Sequence, residues 1–547
     1  MIKKNEDYII AIEDMGTEGE GVGKIDGFTL FVKDALPGDI ARVKVVKEGK
    51  TYGYGRLMEV ITPSEYRVEA VCPVARQCGG CQIQEMSYEA QLAFKEKKVQ
   101  NNLERIGKIE PSYYEMCTII GMEEPYHYRN KAQFPVGTDR DGNIVTGFYA
   151  GRTHSIIPCD DCAIGDNINA CILAIIKSHM KKYNIKPYDE EKHTGLVRHI
   201  LIRRGFTTGE IMVCIIINGM ELKGSSELVD ELKAIDKMTS ISLNINREKT
   251  NVIMGKTVID LYGEGYITDY IGDVKFRISP LSFFQVNPVQ TRKLYGKALE
   301  FAGLTGNEIV WDLYCGVGTI SLFLAKSAHK VYGVEIVPEA IEDARKNASL
   351  NNITNAEFFV GKAEEVVPKM YKECGIGADV VVVDPPRKGC DEKLLETMIE
   401  MNPERIVYVS CDSATLARDL KYLRENGYEV KKVQPVDMFP HTGHVETVVL
   451  LSKLHEAKHH VNVTLDMDEL DITSAESKAT YEEIKEYVLE KHGLQVSHLY
   501  IAQIKRKCGI IERENYNKPK SEDAKQPQCP EDKEKAIMDA LKHFGMV

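Results

Sequence analysis

The chain has 547 residues, a length too great for a single domain. Its hydrophobic content of 43% is ordinary for a protein with several buried cores. Its formal net charge of −12 excludes a uniformly basic nucleic-acid-binding protein but allows a local basic cleft. No run of about 18 apolar residues and no apolar N-terminal leader are present, so we expect a cytoplasmic protein that does not contact membranes. We also expect a monomer.

Residues 1–63 contain short alternating apolar runs separated by glycines, a pattern typical of strands. Five such strands predict an OB-like β-barrel, a scaffold that often binds RNA. The segment RVKVVKEGKTYGYGR, which starts at Arg42, interleaves basic side chains with Tyr52 and Tyr54. Such a strip can bind phosphates and stack on bases, although a solvated strand face shows the same pattern. The segment resembles the TRAM domain, and this resemblance implies RNA as a partner.

Residues 64–270 mix predicted helices and strands and contain a cysteine-rich motif. Cys72, Cys78 and Cys81 form C-x5-C-G-G-C, and Cys159 and Cys162 follow further along the chain. A cytoplasmic compartment keeps thiols reduced, so this grouping favours a metal site over disulfides. Zinc and a 4Fe–4S cluster both bind four cysteines, and the spacing alone does not choose between them.

Between residues 271 and 454, apolar runs alternate with helical patterns, which indicates a doubly wound parallel sheet. Four runs have the composition of buried parallel strands: NEIVWDLYCG, KVYGVEIV, DVVVVDPPR and RIVYVSCD. We therefore predict a multidomain α/β protein whose Rossmann-like domain binds its ligand at the carboxyl ends of these strands.

Residues 455–547 are polar and predict a small helical extension that is flexible in part. Thr480 and Glu483 form a capping-box pattern for one helix, and Ser497 is a candidate N-cap for a second. The two helices form either a packing unit or a helix-turn-helix that contacts nucleic acid. The segment ENYNKPKSEDAKQPQCPEDKEK, residues 514–535, is predicted to be flexible.

A candidate nucleotide site follows the first two of the four strands. Gly316 and Gly318 of DLYCGVG allow a tight turn ahead of a helix. Glu335, nineteen residues after Gly316, ends the next strand and suits the binding of ribose hydroxyls. NAD and S-adenosylmethionine both fit this pair. DPPRKG, which begins at Asp384, adds a stiff loop at the same edge, unless Asp384 only caps a helix.

Cys411 is a candidate nucleophile because it ends the strand RIVYVSC at the edge where the cofactor loops converge. Most cysteines are simply core residues, but this position suits a specific reaction. Carbon 5 of uracil is a poor nucleophile until another group adds to carbon 6, and a thiolate is well suited to that addition.

FFQVN, DLYCGVGTI, DPPRKG, SCDSATLARD and HVETVVLL occur in the order and spacing of the RNA uridine-C5 methyltransferases. The chain resembles this family over about residues 1–453. The resemblance implies that Cys411 adds to carbon 6 of the uridine and that Glu446 removes the proton from carbon 5. It also implies S-adenosylmethionine as the cofactor, bound by Gln285, Tyr314, Thr319, Glu335 and Asp384. Some members have asparagine in place of Thr319.

The same resemblance implies a 4Fe–4S cluster with a structural or RNA-positioning role, bound by Cys72, Cys78, Cys81 and Cys162. Cys159 is the alternative fourth ligand. The family contains ribosomal RNA and transfer RNA enzymes. A TRAM barrel with a cysteine cluster resembles the 23S ribosomal RNA branch, so we expect 23S ribosomal RNA as substrate, with transfer RNA as the alternative.

Three functions of other classes compete with this prediction. A radical enzyme that adds methylthio groups would contain C-x3-C-x2-C, which the cysteine run does not match. An amino-group methyltransferase with a DPP motif usually has an aromatic residue where this chain has Arg387. A non-catalytic RNA-binding factor would not need both Cys411 and Glu446.

Overall fold

The computed structural model describes residues 2–151, 153–454, 481–508, 529–544 and 546. The chain divides into two units, Met1–His455 and Glu456–Val547. The first unit contains a β-barrel, two larger sheets and a separate hairpin. No helix in the described part of the chain is long and apolar enough to cross a membrane.

The first five strands close into a small barrel in the order β1-β2-β3-β5-β4. These strands are β1 (Asp7–Met15), β2 (Gly21–Ile25), β3 (Phe28–Lys33), β4 (Ile40–Glu48) and β5 (Tyr52–Thr62). Alternate side chains point inward and form one apolar core, because successive residues of a strand face opposite sides. A Cβ at Gly55 would lie 2.2 Å from Cγ1 of Val43, so this core has no room for a larger residue there. The predicted N-terminal barrel is confirmed.

A seven-stranded sheet follows, in the order β13-β12-β11-β10-β7-β8-β9. Its strands are β7 (Lys131–Thr138), β8 (Ile144–Tyr149), β9 (Ile156–Pro158), β10 (Val197–Arg204), β11 (Ile211–Ile217), β12 (Met238–Ile245) and β13 (Thr257–Tyr262). One face packs against α2 (Ile168–Lys182) and α3 (Ser225–Lys233). The other face joins an apolar cluster that includes the hairpin β14 (Ile267–Ile271) and β15 (Val274–Ile278).

The third sheet has eight strands in the order β18-β17-β16-β19-β20-β22-β21-β6. Its strands are β6 (Glu115–Met116), β16 (Ile309–Leu313), β17 (Lys330–Glu335), β18 (Ala356–Val360), β19 (Val380–Val383), β20 (Arg405–Ser410), β21 (Tyr428–Val436) and β22 (Glu446–Lys453). The strands β18, β17, β16, β19 and β20 are parallel, and β22 is antiparallel to β20 and β21. The four predicted buried strands are β16, β17, β19 and β20, so the Rossmann-like sheet is confirmed.

Six helices accompany this sheet: α4 (Pro288–Ala302), α5 (Thr319–Ala325), α6 (Pro338–Leu350), α7 (Ala363–Cys374), α8 (Glu392–Met401) and α9 (Ser413–Glu425). They form two apolar clusters, because neighbouring strand residues face opposite sides of the sheet. Val310 belongs to one cluster and Trp311 to the other. The sheet is therefore covered on both faces, as the doubly wound prediction requires.

The contacts do not follow the predicted boundary at residue 270. Strand β6 pairs in parallel with β21 as the eighth strand of the third sheet. Helix α1 (Tyr88–Arg105) shares an apolar cluster with α9 through Val99 and Leu103. Residues before 120 thus complete the core of the third sheet, and the domain boundaries remain predictions.

The second unit contains three described helices, α10 (Tyr481–His492), α11 (His498–Lys507) and α12 (Glu531–His543), which share a small apolar core. Ser497 caps α11 as predicted, because its hydroxyl accepts a hydrogen bond from the N–H of Tyr500. Helix α12 begins at Glu531, within the segment predicted to be flexible, and packs through Ile537 and Leu541. Thr480 of the predicted capping box and residues 514–528 lie outside the described residues.

A buried ion pair joins α1 to the loop that precedes β22. Lys95 Nζ lies 2.5 Å from Asp437 Oδ1, and neither side chain is exposed. Tyr88 donates its hydroxyl to the other oxygen of Asp437 at 2.8 Å, and Lys95 also donates to the carbonyl of Phe439 at 3.0 Å. Burial lowers the pKa of Lys95, while the charge of Asp437 opposes this shift. The pair fixes the course of the chain just ahead of Glu446.

Replacing Lys95 with alanine should lower the free energy of unfolding of the first unit by about 3–5 kcal/mol, because Asp437 becomes an uncompensated buried charge. Trp311 is the single tryptophan and is buried in this unit, so its fluorescence during urea denaturation measures the change. The matched control is Lys97→Ala, which removes an exposed ion pair with Asp14 and should cost less than about 1 kcal/mol. Equal losses in the two variants would contradict the role of the buried pair.

Candidate active site

The carboxyl edge of the third sheet collects the predicted site residues. At or just after the ends of β16, β17, β19 and β20 lie, in this order, Tyr314, Glu335, Asp384 and Cys411. Glu446 is the first residue of the antiparallel strand β22. It lies at the same edge because its neighbour Thr447 pairs with Ser410 at the end of β20.

The loop after β16 has a backbone that few residues adopt. Tyr314, Gly316 and Gly318 have positive φ angles of 67°, 54° and 80°. A non-glycine residue such as Tyr314 is strained there, and such strain is typical of binding loops. The space beside Gly316 is open on the side where a Cβ would lie. Glu335 accepts a hydrogen bond from the N–H of Gly316 at 3.2 Å, so the ends of β16 and β17 are joined.

Asp312, near the end of β16, is a fully buried carboxyl group that sequence analysis did not assign to the site. Its Oδ2 accepts a hydrogen bond from the hydroxyl of Ser321, whereas Oδ1 is buried without a partner among the described residues. Burial, followed by the charge of Asp384, raises the pKa of Asp312 to about 7. A donor on a bound ligand would satisfy the unpaired oxygen. The available signal was its position as first residue of DLYCGVG.

Gln285 and Thr319 border the third sheet from other elements. Gln285 is half-buried in the loop before α4, and its carbonyl accepts a hydrogen bond from Asn130 Nδ2 at 3.1 Å. Thr319 begins α5, and its hydroxyl lies 3.2 Å from that of Tyr295. Burial, followed by the charge of Asp384, raises the pKa of Tyr295. Thr319 therefore contacts a tyrosine whose pKa is affected by Asp384. Gln285 is hydrogen-bonded to Asn130, which directly precedes strand β7 of the seven-stranded sheet.

Cys411, Glu446 and Asp384 share one electrostatic environment. Burial, followed by the charges of Glu446 and Asp384, raises the pKa of the Cys411 thiol to about 12. Burial, followed by Asp384, raises the pKa of Glu446 to about 8, and burial raises the pKa of Asp384 to about 7. Arg387 opposes the shifts of Cys411 and Glu446. The structure thus brings the predicted nucleophile and the predicted base together near one guanidinium group.

Arg387 was not among the site residues predicted from the sequence, although its position directly after Pro386 was the available signal. Helix α9 holds its loop in place. Thr415 donates its hydroxyl to the carbonyl of Arg387 at 3.0 Å. Asp419 accepts hydrogen bonds from the N–H of Cys390 at 2.8 Å and from the hydroxyl of Tyr408 at 2.6 Å. The helix that follows Cys411 therefore also holds the loop of the cation that opposes the rise in its pKa.

A separate cavity of about 360 Å³ is lined by five cysteines, Cys72, Cys78, Cys81, Cys159 and Cys162. Arg129 and Lys131 also contribute to its wall. Burial, followed by the charges of Cys162, Cys78 and Cys72, raises the pKa of Cys81 to about 12, so these four thiols lie near one another. Within the described residues, no three His, Cys, Asp or Glu side chains form a group that could hold a single metal ion.

The barrel strip predicted to contact RNA is only partly free. Arg42 and Lys44 each pair with a carboxylate of the barrel, at 2.8 Å and 3.3 Å. Tyr52 and Tyr54 instead pack with Phe31, with ring centroids 5.7–5.9 Å apart. Phe31 was not predicted as part of this strip; it lies on the neighbouring strand β3 and completes an aromatic group on the barrel.

Comparisons with known proteins cover most of the first unit. The chain matches the family described as tRNA (Uracil-5-)-methyltransferase over residues 87–454 and the TRAM domain over residues 3–58. It is 54% identical over 451 residues to an RNA methyltransferase of Halalkalibacterium halodurans, covering 82% of this chain and 98% of that protein. It is 53% identical over 454 residues to an RNA methyltransferase of Clostridium acetobutylicum, covering 83% of this chain and 98% of that protein.

A solved structure has a similar fold. It is the tRNA (uracil-54, C5)-methyltransferase of Pyrococcus abyssi in complex with S-adenosyl-L-homocysteine. The TM-score is 0.66 at 30% sequence identity, and the match covers 81% of this chain and all of that one. The chain therefore belongs to the RNA uridine-C5 methyltransferase family and is an S-adenosylmethionine-dependent RNA methyltransferase with an N-terminal TRAM domain.

Proposed function

We propose that this enzyme methylates carbon 5 of a uridine in 23S ribosomal RNA, with Cys411 as the nucleophile and Glu446 as the base. One observation carries the proposal: both side chains lie at the carboxyl edge of the sheet, and Glu446 is the charged group with the largest effect on the ionisation of Cys411. A thiol and a carboxyl group in one buried environment can act on adjacent carbons of one base.

Cys411 forms the covalent bond to the uracil ring. Its thiolate adds to carbon 6, the ring electrons move toward oxygen 4, and carbon 5 becomes nucleophilic. The thiol must first lose its proton, which passes to water at the partly exposed sulfur. Arg387 favours the thiolate because its charge opposes the rise in the pKa of Cys411 that burial, Glu446 and Asp384 cause. The side chain of Cys411 is partly exposed, so the uracil ring of the RNA can approach the sulfur.

Glu446 completes the reaction as a proton acceptor. S-adenosylmethionine, when bound, supplies the methyl group for carbon 5, which then carries both a methyl group and its original proton. Glu446 accepts that proton, the bond between carbons 5 and 6 becomes double again, and the electrons of the breaking C6–S bond return to Cys411. A pKa near 8 suits this role, because proton transfer is most effective when the pKa of the acceptor is close to the working pH.

S-adenosylmethionine is proposed to bind the predicted residues at this edge, Gln285, Tyr314, Thr319, Glu335 and Asp384. Glu335 ends β17 with a carboxylate suited to ribose hydroxyls. The unpaired Oδ1 of Asp312 supports the fit, because the ammonium group of the cofactor is a donor of the opposite charge. The open space beside Gly316 leaves room for a ligand to approach the backbone.

The cysteine cavity is proposed to hold a 4Fe–4S cluster through Cys72, Cys78, Cys81 and Cys162. The cysteine set fits such a group, and the positive charges of Arg129 and Lys131 on the wall offset the negative charge of four thiolates. The N–H of Gly80 donates to Cys78 Sγ at 3.4 Å, a type of bond that tunes cluster sulfurs. Cys162 is preferred to Cys159 because Cys162 is the thiol with the largest effect on Cys81. The cluster, when bound, would cross-link two distant chain segments.

Transfer RNA is the second candidate substrate. The similar Pyrococcus abyssi protein is a tRNA methyltransferase, which favours this alternative. The combination of a TRAM domain with a cysteine cavity supports ribosomal RNA. We propose that the enzyme acts in the cytoplasm as a monomer.

Nucleoside mass spectrometry of RNA from a deletion strain tests the substrate. We expect 23S ribosomal RNA purified from this strain to lose 5-methyluridine, because no other enzyme would then modify that uridine, whereas its transfer RNA keeps the nucleoside. Re-expression of the wild-type chain should restore 5-methyluridine to the 23S ribosomal RNA. Disappearance from transfer RNA alone would select the second candidate, and 5-methyluridine that is unchanged in both RNAs would contradict the proposal.

Glu446→Gln should slow turnover by about 10²–10⁴-fold, because glutamine keeps the size of the side chain but cannot accept the carbon 5 proton. The methylated base should remain attached to Cys411, so a protein–RNA complex should persist on a denaturing gel. The control is the double variant Cys411→Ala and Glu446→Gln, which lacks the attacking sulfur and should form no such band. Normal turnover by Glu446→Gln without trapped RNA would show that another group accepts the proton.

Anaerobically purified protein should be brown and contain about four irons and four sulfides per chain. Cys162→Ser should lose most of this iron because one ligand is missing, whereas Cys159→Ser should keep it. The exposed Cys171 provides a control, since Cys171→Ser should leave the absorbance spectrum unchanged. Iron and sulfide analysis with visible spectroscopy measures these outcomes, and colourless protein with one zinc would reject the cluster.

A further inference from the structure

A second recess, of about 210 Å³, lies beside the loop that carries Gln285. Asn130 contributes to its wall and connects it to that loop. The backbone N–H of Asn130 donates to the carbonyl of Val286 at 2.9 Å, and its side-chain amide donates to the carbonyl of Gln285 at 3.1 Å. The position of the recess relative to the active site is therefore fixed by hydrogen bonds, although neither the methyl-transfer residues nor the cysteines line it.

Phe206 contributes an exposed aromatic ring on a turn that is held firmly. Its side chain is 60% exposed, although burial is the usual state of phenylalanine. The N–H groups of Phe206 and Thr207 donate to the carboxylate of Asp269 at 2.7 and 2.8 Å, and Asp269 is fully buried. The hydroxyl of Thr208 donates to the carbonyl of Thr268 at 2.7 Å. A fixed, exposed ring is a suitable stacking surface for a nucleobase.

The recess also contains cationic groups. Arg204 forms an ion pair with Asp166 at 2.9 Å, and Arg129 lines both this recess and the cysteine cavity. The Nε of Arg129 is buried and has no hydrogen-bond partner within the described residues. An anionic acceptor at the mouth of the recess would suit this guanidinium group.

His127, on the wall of the recess, has a strained backbone conformation that hydrogen bonds hold in place. Its φ angle is 50°, which is uncommon for a residue with a side chain. Its N–H donates to the carbonyl of Ala163 at 3.0 Å, and its Nδ1 lies 2.8 Å from the carbonyl of Gly165. Strain that is held in this way is typical of binding sites.

We propose that this recess binds one nucleotide of the RNA substrate next to the target uridine, with the base stacked on Phe206 and the phosphate near Arg129. The inference rests on the proposed uridine methylation, because it assigns a subsite for the same RNA. A single-stranded nucleotide is the partner that fits. The recess offers an exposed aromatic ring, two arginines and polar walls, which match one base and one phosphate.

The test uses the full-length enzyme and the shortest RNA fragment in which 5-methyluridine is found. Phe206→Ala should raise KM for this RNA about tenfold, with kcat and the Kd of S-adenosylmethionine unchanged, because stacking contributes to RNA binding alone. Phe206→Tyr should restore KM, since tyrosine keeps an aromatic face. Met220→Ala is the matched control because Met220 is equally exposed, at 59%, and does not line the recess.

Abasic substitution of the RNA identifies the contact. One nucleotide that flanks the uridine should weaken binding to the wild type when its base is removed, and the same removal should have little further effect on Phe206→Ala. An unchanged KM for Phe206→Ala, an equal rise for Met220→Ala, or additive losses at every flanking position would overturn the subsite. In each of these cases 5-methyluridine still forms, whereas its absence from the wild-type reaction would overturn the proposed function and the subsite with it.

Discussion

The buried ion pair between Lys95 and Asp437 is the constraint on which the position of Glu446 depends. Both groups are removed from water, so each requires the other, and the two chain segments that carry them must stay in register. Further contacts follow the same helix face. Gln91 accepts a hydrogen bond from the N–H of His441 at 2.9 Å, and Lys98 donates to the carbonyl of Gly443 at 2.9 Å. Helix α1 thus guides residues 437–445 into β22 through a buried polar stripe.

This stripe connects parts of the chain that are far apart in sequence. Lys98 also donates to the carbonyl of Thr17 in the barrel at 2.7 Å. The barrel, helix α1 and the loop before Glu446 are therefore linked by the hydrogen bonds of one side chain. Such a link joins the TRAM barrel to the loop that leads into the strand beginning with Glu446.

Burial also raises the pKa values of the carboxyl groups at the carboxyl edge of the third sheet. Three carboxyl groups, those of Asp312, Asp384 and Glu446, have pKa values raised to about 7 to 8, chiefly because they are removed from water. A cationic ligand would favour their ionised forms, since an opposite charge nearby stabilises a carboxylate. S-adenosylmethionine carries positive charge on its sulfonium and ammonium groups, so this environment is consistent with the cofactor of the family. Arg387 meanwhile balances the negative charge beside Cys411.

The sequence by itself determined the barrel, the four buried parallel strands and the placement of the motifs at strand ends. These features depend on the local alternation of apolar residues and on glycines, which act over a few neighbouring positions. Tertiary structure alone decided that β6 completes the third sheet and that Lys95 meets Asp437, 342 positions away. It also decided that a polar stripe on α1 is buried, that the charge of Arg387 acts on Cys411, and that Phe206 is exposed on a turn held by Asp269. These outcomes depend on which distant surfaces pack together. The local sequence around a polar residue is the same whether its side chain contacts water or a buried charge, so the sequence pattern alone does not distinguish the two cases.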